Sequence, residues 1–464
     1  MFILGIEPQL GIRRGMLACK FWFSFPAGRP ANYVSRVLLG FLIAFLFSSA
    51  ALATTVEKTS LDVRQLIEIA RQDNKDLQAA RYAVDLAEAR LVQAGLRANP
   101  RLDLSARTDL LFGNEGEYSN AIGISQEFPI AGRLLHQKAV ARVDIALAEV
   151  EIAEAERRMA GEIASKSYRF VVIEQQINSL NTLVGVEEKL ARTTRDRFKA
   201  AEVSELDVNT VQLDIQRLVQ ERVQLQNEQQ SILVSLNTLL GRSASSALSI
   251  TEPLPKAISL PTLEQLEQQA FELRPDLRGA MLSIDRAEAE KKLATASRWQ
   301  DWSVGLEFSQ DKQVITGAPP QGYSRAIGIS VSIPLPLFNK SQGLLAEAVA
   351  NREQAQARVE ALRLSIASEV LGIHAEVTRL QNSLLQYRKN MLPTSERNVR
   401  LAQQGYSQGL IPVFEVVQAQ RQQTELNADY LNTLDQFLQA LSRLHTATGE
   451  YVSASSDPHT KKKE

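Results

Sequence analysis

The chain has 464 residues, 52 basic against 53 acidic side chains, a formal charge of −1 and 44% apolar residues. That apolar fraction excludes a disordered chain, and the balanced charge excludes a nucleic-acid surface, so any electrostatic function is local.

The first segment reads as a leader. Arg29 and Arg36 precede the apolar run from Val37 to Phe47, and Ala51-Leu52-Ala53 supplies an A-x-A cleavage site, so the mature chain is expected to begin at Thr54. Met16 is an alternative start, and a retained anchor over Val34 to Leu52 is the competing reading. The single cysteine, Cys19, lies inside this leader, so neither a lipid anchor there nor a disulfide in the mature chain is expected.

An internal duplication organises the rest. Asp76-Leu77-Gln78-Ala79-Ala80 recurs as Asp276-Leu277-Arg278-Gly279-Ala280, and Ala121-Ile122-Gly123-Ile124-Ser125 as Ala326-Ile327-Gly328-Ile329-Ser330. At a nearly constant offset Phe198 aligns with Tyr406, Asp207-Val208 with Glu415-Val416, and Gly241 with Gly449. The expected layout is a leader over 1–53, a first repeat over 54–241, a Ser/Pro-rich linker over 242–261, a second repeat over 262–450 and a polar tail over 451–464.

Each repeat reads as helix, β-hairpin, very long helix, helix. In the first hairpin, 101–128, even positions from Leu102 to Leu110 carry Leu, Leu, Ala, Thr and Leu, while Arg101, Asp103, Ser105, Arg107 and Asp109 occupy odd ones. That is the period of a two-faced strand; Tyr118 to Phe128 alternates more loosely. After Pro129, the stretch from Gly132 to Lys199 contains no proline and predicts a helix of roughly 100 Å at the usual rise per residue. Only a coiled-coil-like partner stabilises such length, and heptads supply one. Ile163, Phe170, Ile177 and Val184 recur every seventh residue, as do Val211, Leu218, Leu225, Ile232 and Leu239 on the returning helix. The turn between them, Ala200 to Glu205, is short and polar, completing a helical hairpin over 132–241.

The second hairpin of strands, 301–333, sets Trp302, Val304, Leu306 and Phe308 against Asp301, Ser303, Gly305, Glu307 and Ser309, and continues with Tyr323 to Ile333. Pro334 and Pro336 mark its exit, and a helical hairpin over 341–450 follows, turning from Gly405 to Pro412. An antiparallel sheet on a soluble core is the bland reading of such strands. Three features favour a bilayer. The strands are about ten residues long, Phe112, Tyr118, Phe128, Trp299 and Tyr323 sit near their ends, and the loops are polar. Four strands cannot close a barrel, so several chains must pool them, and three would give about twelve.

This combination resembles the TolC-type outer-membrane efflux factor family over nearly the whole mature chain. Its local marks are the tips, Arg197-Phe198-Lys199-Ala200-Ala201-Glu202-Val203-Ser204-Glu205-Leu206-Asp207-Val208 and Gly405-Tyr406-Ser407-Gln408-Gly409-Leu410-Ile411-Pro412-Val413-Phe414-Glu415-Val416. Ala201 stands where the family has glycine. The resemblance implies a mainly α protein with a membrane β-barrel, in which long antiparallel coiled-coil hairpins form a periplasmic α-barrel. Four strands per protomer would complete a trimeric, twelve-stranded barrel in outer-membrane lipid. It further implies a homotrimer partnered by a periplasmic adaptor and an inner-membrane RND-type pump, with no nucleic acid. Gln126-Glu127-Phe128-Pro129-Ile130-Ala131-Gly132-Arg133 and Arg274-Pro275-Asp276-Leu277 are similar to the branch paired with heavy-metal cation pumps.

Carried over by residue, the gate candidates are Glu415, Gln418, Tyr406 and Asp207. Gln418 replaces a second acid, and Pro412 stands where a basic residue is common. Adaptor-contact candidates are Arg197, Ala201, Val203, Gly405, Gly409, Leu410 and Ile411; barrel-lumen candidates are Arg101, Asp103, Arg107, Asp109, Asp301 and Glu307. Glu415 reads equally well as a solvated acid at a helix start. His136, His374, His445 and His459 are scattered, so no metal site is expected, and no catalytic constellation or cofactor motif is found. The expectation is a passive conduit. Channels for type I protein secretion or drug efflux are the alternatives, and a soluble periplasmic coiled-coil scaffold is a third reading.

Overall fold

The computed structural model describes residues 60–109, 111, 116–253, 259–315, 317–319 and 321–451. The expected leader with Cys19, its cleavage site, Leu110, Phe112, part of the linker and the tail with His459 lie outside these residues.

In the first repeat, α1 (Val63–Asp73) starts on a capping box in which Asp62 and Gln65 satisfy each other's backbone N–H groups. Next come α2 (Lys75–Ala94), β2 (Arg101–Thr108), β3 (Tyr118–Phe128), α3 (Arg133–Lys199) and α4 (Glu205–Leu239). The second repeat has α5 (Leu263–Leu273), α6 (Pro275–Ala296), β5 (Trp302–Lys312) and β6 (Ser324–Ser332) in the corresponding places. It ends with α7 (Gln342–Gln386), α8 (Leu392–Ser407) and α9 (Val413–Ala447). Two short strands, β1 (Ser60–Leu61) and β4 (Ser249–Ile250), pair in parallel.

The two long helices differ. α3 runs 67 residues without interruption, and Ile163, Phe170, Ile177 and Val184 are all buried. The equivalent path in the second repeat is broken by a π-turn over Tyr387–Met391 between α7 and α8. Pro393 lies in the first turn of α8. Its missing N–H and ring displace the carbonyl a turn earlier, and a widened turn absorbs the misfit.

The helices form two tiers. Beside the sheet, α2 and α6 pack on the first part of α3, with Arg286 of α6 bonding Asp144 at 2.6 Å, and α6 also packs on α7. Beyond it, α4 and α9 pack on the second part of α3. Arg169 bonds Glu228 of α4 at 2.6 Å, and Asn427 of α9 bonds Ser179 at 2.6 Å. α1 and α5 are amphipathic helices that cover the tier boundary. α1 buries Leu66 and Ala70 with Ile163 and Ala164 of α3, and α5 buries Leu266 and Ala270 with Ile366 and Val370 of α7. Each such leucine contributes about 2–3 kcal/mol.

Where tiers meet, the helix ends abut. Asn74 caps α2 by accepting from the Leu77 N–H at 2.8 Å, and its amide donates to the Leu239 carbonyl at the end of α4, also at 2.8 Å. At the equivalent place Arg274, 6% exposed, donates to the Ala447 carbonyl at 3.3 Å, to Glu369 at 2.6 Å and to both oxygens of Asp276. Burial opposes the charge on Arg274, but the two carboxylates outweigh it and raise its pKa. Burial likewise pushes the Asp276 carboxyl up, and the Arg274 guanidinium overrides that and holds it below the usual carboxylate range. Arg157, also buried, donates to the Thr446 carbonyl, so two guanidiniums face the C-terminal carbonyls of α9.

Candidate functional site

The four long strands form one antiparallel sheet in the order β2-β3-β5-β6. Its register places Leu104, Ile122, Phe308 and Ile327 in one row and Leu102, Ile124, Leu306 and Ile329 in the next. These rows make one apolar face with nothing packed on it: Leu104 is 70% exposed and Ile329 77%. On the other face Asp103, Gly123, Glu307 and Gly328 share a row, as do Arg107, Ser119, Asp311 and Ser324 by continuation of the same ladder. Arg101, Asp103, Arg107 and Glu307 therefore lie together on the polar face; Asp109 follows the end of β2 at the same parity. Asp301 precedes β5 and is held by Arg133 at the start of α3, a tie that sequence reading missed although Arg133 ends the motif it singled out. β5 reaches Lys312, three positions beyond the expected alternation, because its ladder with β3 continues to Tyr118. At that end Tyr118 and Tyr323 stack at 5.8 Å, and at the helical end Phe128 pairs with Trp302. This is an aromatic girdle at each rim.

At the opposite end are the helical tips. α3 ends in a Schellman turn, with Ala201 N–H donating to the Phe198 carbonyl at 2.9 Å and Glu202 N–H to Arg197 at 2.9 Å. α8 ends in the same turn, with Gly409 donating to Tyr406 at 3.0 Å and Leu410 to Gly405 at 2.8 Å. Tyr406 is buried among Val211, Val413, Val416 and Val417, between the two hairpins. Its hydroxyl lies 3.3 Å from that of Thr194, and the Arg197 guanidinium stands 4.5 Å from its ring centroid while donating to its carbonyl at 3.2 Å. Gly405 backs onto the Ile411 side chain, where an added Cβ would lie 3.3 Å away. Tyr406, Arg197, Gly405 and Ile411 are thus brought into one cluster, together with Thr194, which the sequence did not reveal.

Asp207 is occupied locally. It accepts from the Ser204 N–H at 2.9 Å and hydroxyl at 2.8 Å in a capping box that starts α4. The Ser204-x-x-Asp207 spacing was the signal for it. Glu415 and Gln418 lie one turn apart on the exposed face of α9, and Glu415 is in its first turn. Ala201, Gly409 and Leu410 are exposed and Val203 is half-buried. Leu206, Leu410 and Phe414, respectively 74%, 74% and 55% exposed, make an apolar fringe on the tips. Between the hairpins, α3, α4, α8 and α9 line an open cleft of about 730 Å³ with mixed walls, including Gln176, Leu183, Glu228, Val399, Gln420 and Asn427. Among the described residues no cluster of three or more potential metal ligands occurs, and no helix is long and apolar enough to cross a membrane.

The chain is similar over 428 residues, at 22% identity, to the cobalt-zinc-cadmium resistance protein CzcC of Cupriavidus metallidurans, covering 89% of this chain and 98% of that protein. It is 21% identical over 413 residues to the pyoverdine export outer membrane protein OpmQ of Pseudomonas putida, covering 84% of this chain and 86% of the other. In fold it matches crystal structures of CusC with a TM-score of 0.68 at 18% identity, covering 84% of this chain and 92% of that one. It matches the open state of the Neisseria gonorrhoeae MtrE outer membrane channel with a TM-score of 0.65 at 17% identity, covering 83% and 88%. The profile of the outer membrane efflux proteins matches residues 66–242 and 266–450, one stretch in each repeat. With both repeats matched and a sheet that turns a bare apolar face outward, the chain belongs to the outer membrane efflux protein family: an outer-membrane channel with a helical periplasmic extension.

Proposed function

We propose that three copies of this chain form a passive exit duct for heavy-metal cations, receiving cargo from an RND-type inner-membrane pump through a periplasmic adaptor. The observation that carries assembly from several copies is the sheet, and the resemblance to the family sets their number at three. β2 and β6 are its free edges, and in the order β2-β3-β5-β6 they run in opposite senses. The β6 of one copy can therefore pair antiparallel with the β2 of the next, as closure in lipid requires. One copy falls short of the minimum of about eight strands, and three would give about twelve. The cation cargo rests on the likeness to CzcC, and similarity to a pyoverdine exporter keeps small organic cargo as the second reading.

In this reading the leader over 1–53 is removed and the repeats over 54–241 and 262–450 are joined by the linker over 242–261. The conduit does no chemistry. Glu415, repeated by symmetry around the tip, favours cations, and the apolar fringe at Leu206, Leu410 and Phe414 seats the adaptor. Membrane fractionation followed by cross-linking of the detergent-extracted protein tests this: outer-membrane trimers are expected, and a soluble periplasmic monomer overturns it. In planar bilayers Glu415→Ala is expected to lower cation preference, and an unchanged reversal potential reduces Glu415 to a surface acid.

A further inference from the structure

The buried stripe of α3 below the tier boundary reads Ile173, Leu180, Glu187, Thr194, so an acid occupies a core position between two apolar layers. On one side lie Leu180, Val184 and Leu218, and on the other Leu190, Ala191, Val211 and Val417. Glu187 is 0% exposed, and neither of its carboxylate oxygens has a hydrogen-bond partner. The charged groups acting on it are Asp214 of α4 and Arg421 of α9. Its neighbours Glu188 and Lys189 face solvent. Asp214, itself 3% exposed, already takes the Arg421 guanidinium at 2.7 Å. One cation thus faces two carboxylates, and the one left over is Glu187.

A second orphan lies on α9. Gln420 of α9 is 2% exposed, and both atoms of its side-chain amide are unpartnered. α3 and α9 run antiparallel, with Ser165 bonded to Gln439 and Ser179 to Asn427. Continuing that register brings Gln420 to the level of Glu187. An ionised Glu187 has no hydrogen-bond donor to compensate its desolvation. A neutral carboxylic acid has one donor and one free acceptor, the complement of a primary amide. Gln420 also lines the cleft between the hairpins, so solvent comes within reach of this layer from its α9 side.

We propose that Glu187 is a proton-operated latch between the two helical hairpins. As the neutral acid it occupies the layer with Gln420 and keeps α9 against α3; on releasing its proton to solvent it loosens that packing and frees the tip. This rests on the reading of the tips as the moving end of a conduit. Burial first, and the charge of Asp214 second, raise the Glu187 carboxyl from its ordinary 4.5 to about 7, with Arg421 opposing. The packed state therefore holds the proton more tightly than the loosened one. Its packing is undiminished below the ordinary value, weakens as pH rises from there to about 7 and stays weakened above.

Hydrogen exchange of the detergent-extracted full-length protein tests the latch, comparing about pH 5.5 with about pH 8.5 after correction for the chemical exchange rate. Protection over residues 413–431 is expected to fall roughly thirtyfold at the higher pH in the unmodified protein. It should stay high at both in Glu187→Gln, which keeps the neutral acid's shape and donors. Asp214→Asn, which releases Arg421 to pair with an ionised Glu187, should also remove the pH dependence. Equal protection at both pH values in the unmodified protein, or an undiminished pH dependence in Glu187→Gln, overturns the latch. Exchange does not require trimers or conduction, so failure of the conduit in cross-linking is read separately from failure of the latch.

Discussion

The first hairpin turns on Ala201 and the second on Gly409, yet both backbones enter the left-handed region, at φ 61° and 71°. The same holds one tier up. Asn74 joins α2 to α4 with a neutral amide, whereas Arg274 joins α6 to α9 with a charged fork held by Asp276 and Glu369. Repeat position therefore dictates the backbone, because each helix end must satisfy its orphan carbonyls by the same turn. Which side chain does so is free to change, and with it the energy at stake.

The largest contrast is expected at the junctions. Arg274→Ala leaves two carboxylates around the α9 terminus without their cation and should cost about 3–5 kcal/mol in chemical unfolding. Next come the glycines that end the lower tier. A Cβ on Gly241 would lie 2.2 Å from the Asp73 carbonyl oxygen, whereas one on Gly449 would meet the Leu273 side chain at 2.9 Å. Gly241→Ala should therefore cost about 3 kcal/mol, and Gly449→Ala, where the Cβ and backbone of Leu273 lie farther off, about 2 kcal/mol. Asn74→Ala removes a cap and a junction bond, and its melting shift should correspond to about 1–2 kcal/mol. A loss equal to that of Arg274→Ala would break the comparison between neutral and ionic junctions.

The smallest effect sharpens it at the tips. Nothing lies within 4 Å of a Cβ built on Gly409, so Gly409→Ala should cost only the left-handed penalty of about 1 kcal/mol. Ala201→Gly should return about the same amount, measured as protection of the Glu202 and Val203 amides. Opposite signs of similar size would establish that the two turns differ only in the residue placed on a common backbone.

The sheet was legible because a strand's faces follow from a period of two, a local property. Leu102 with Leu104, and Ile327 with Ile329, needed no partner to be assigned to one side. The heptads of α3 were legible for the same reason, as were the glycines at 241 and 449. The π-turn had a visible cause in Pro393, but whether a proline kinks, ends or widens a helix depends on what packs around it. Tyr406 was singled out by its motif without any sign that it would be buried under Arg197 and against Thr194, since those contacts join residues on different helices. Asp207 carried a readable capping signal that was overlooked in favour of the tip pattern.

From the sequence alone, the chain's periodicities settle what each segment is: a two-faced strand, a long coiled-coil helix, a turn. Those depend on spacing along one stretch of backbone. Tertiary structure alone decided that Glu187 would be buried at the level of Asp214 and Arg421, and that Arg274 rather than Asn74 would carry an ionic junction. Such pairings are set by the register between helices distant in the chain, and the low-dielectric setting that gives them their energy exists only once those helices have packed.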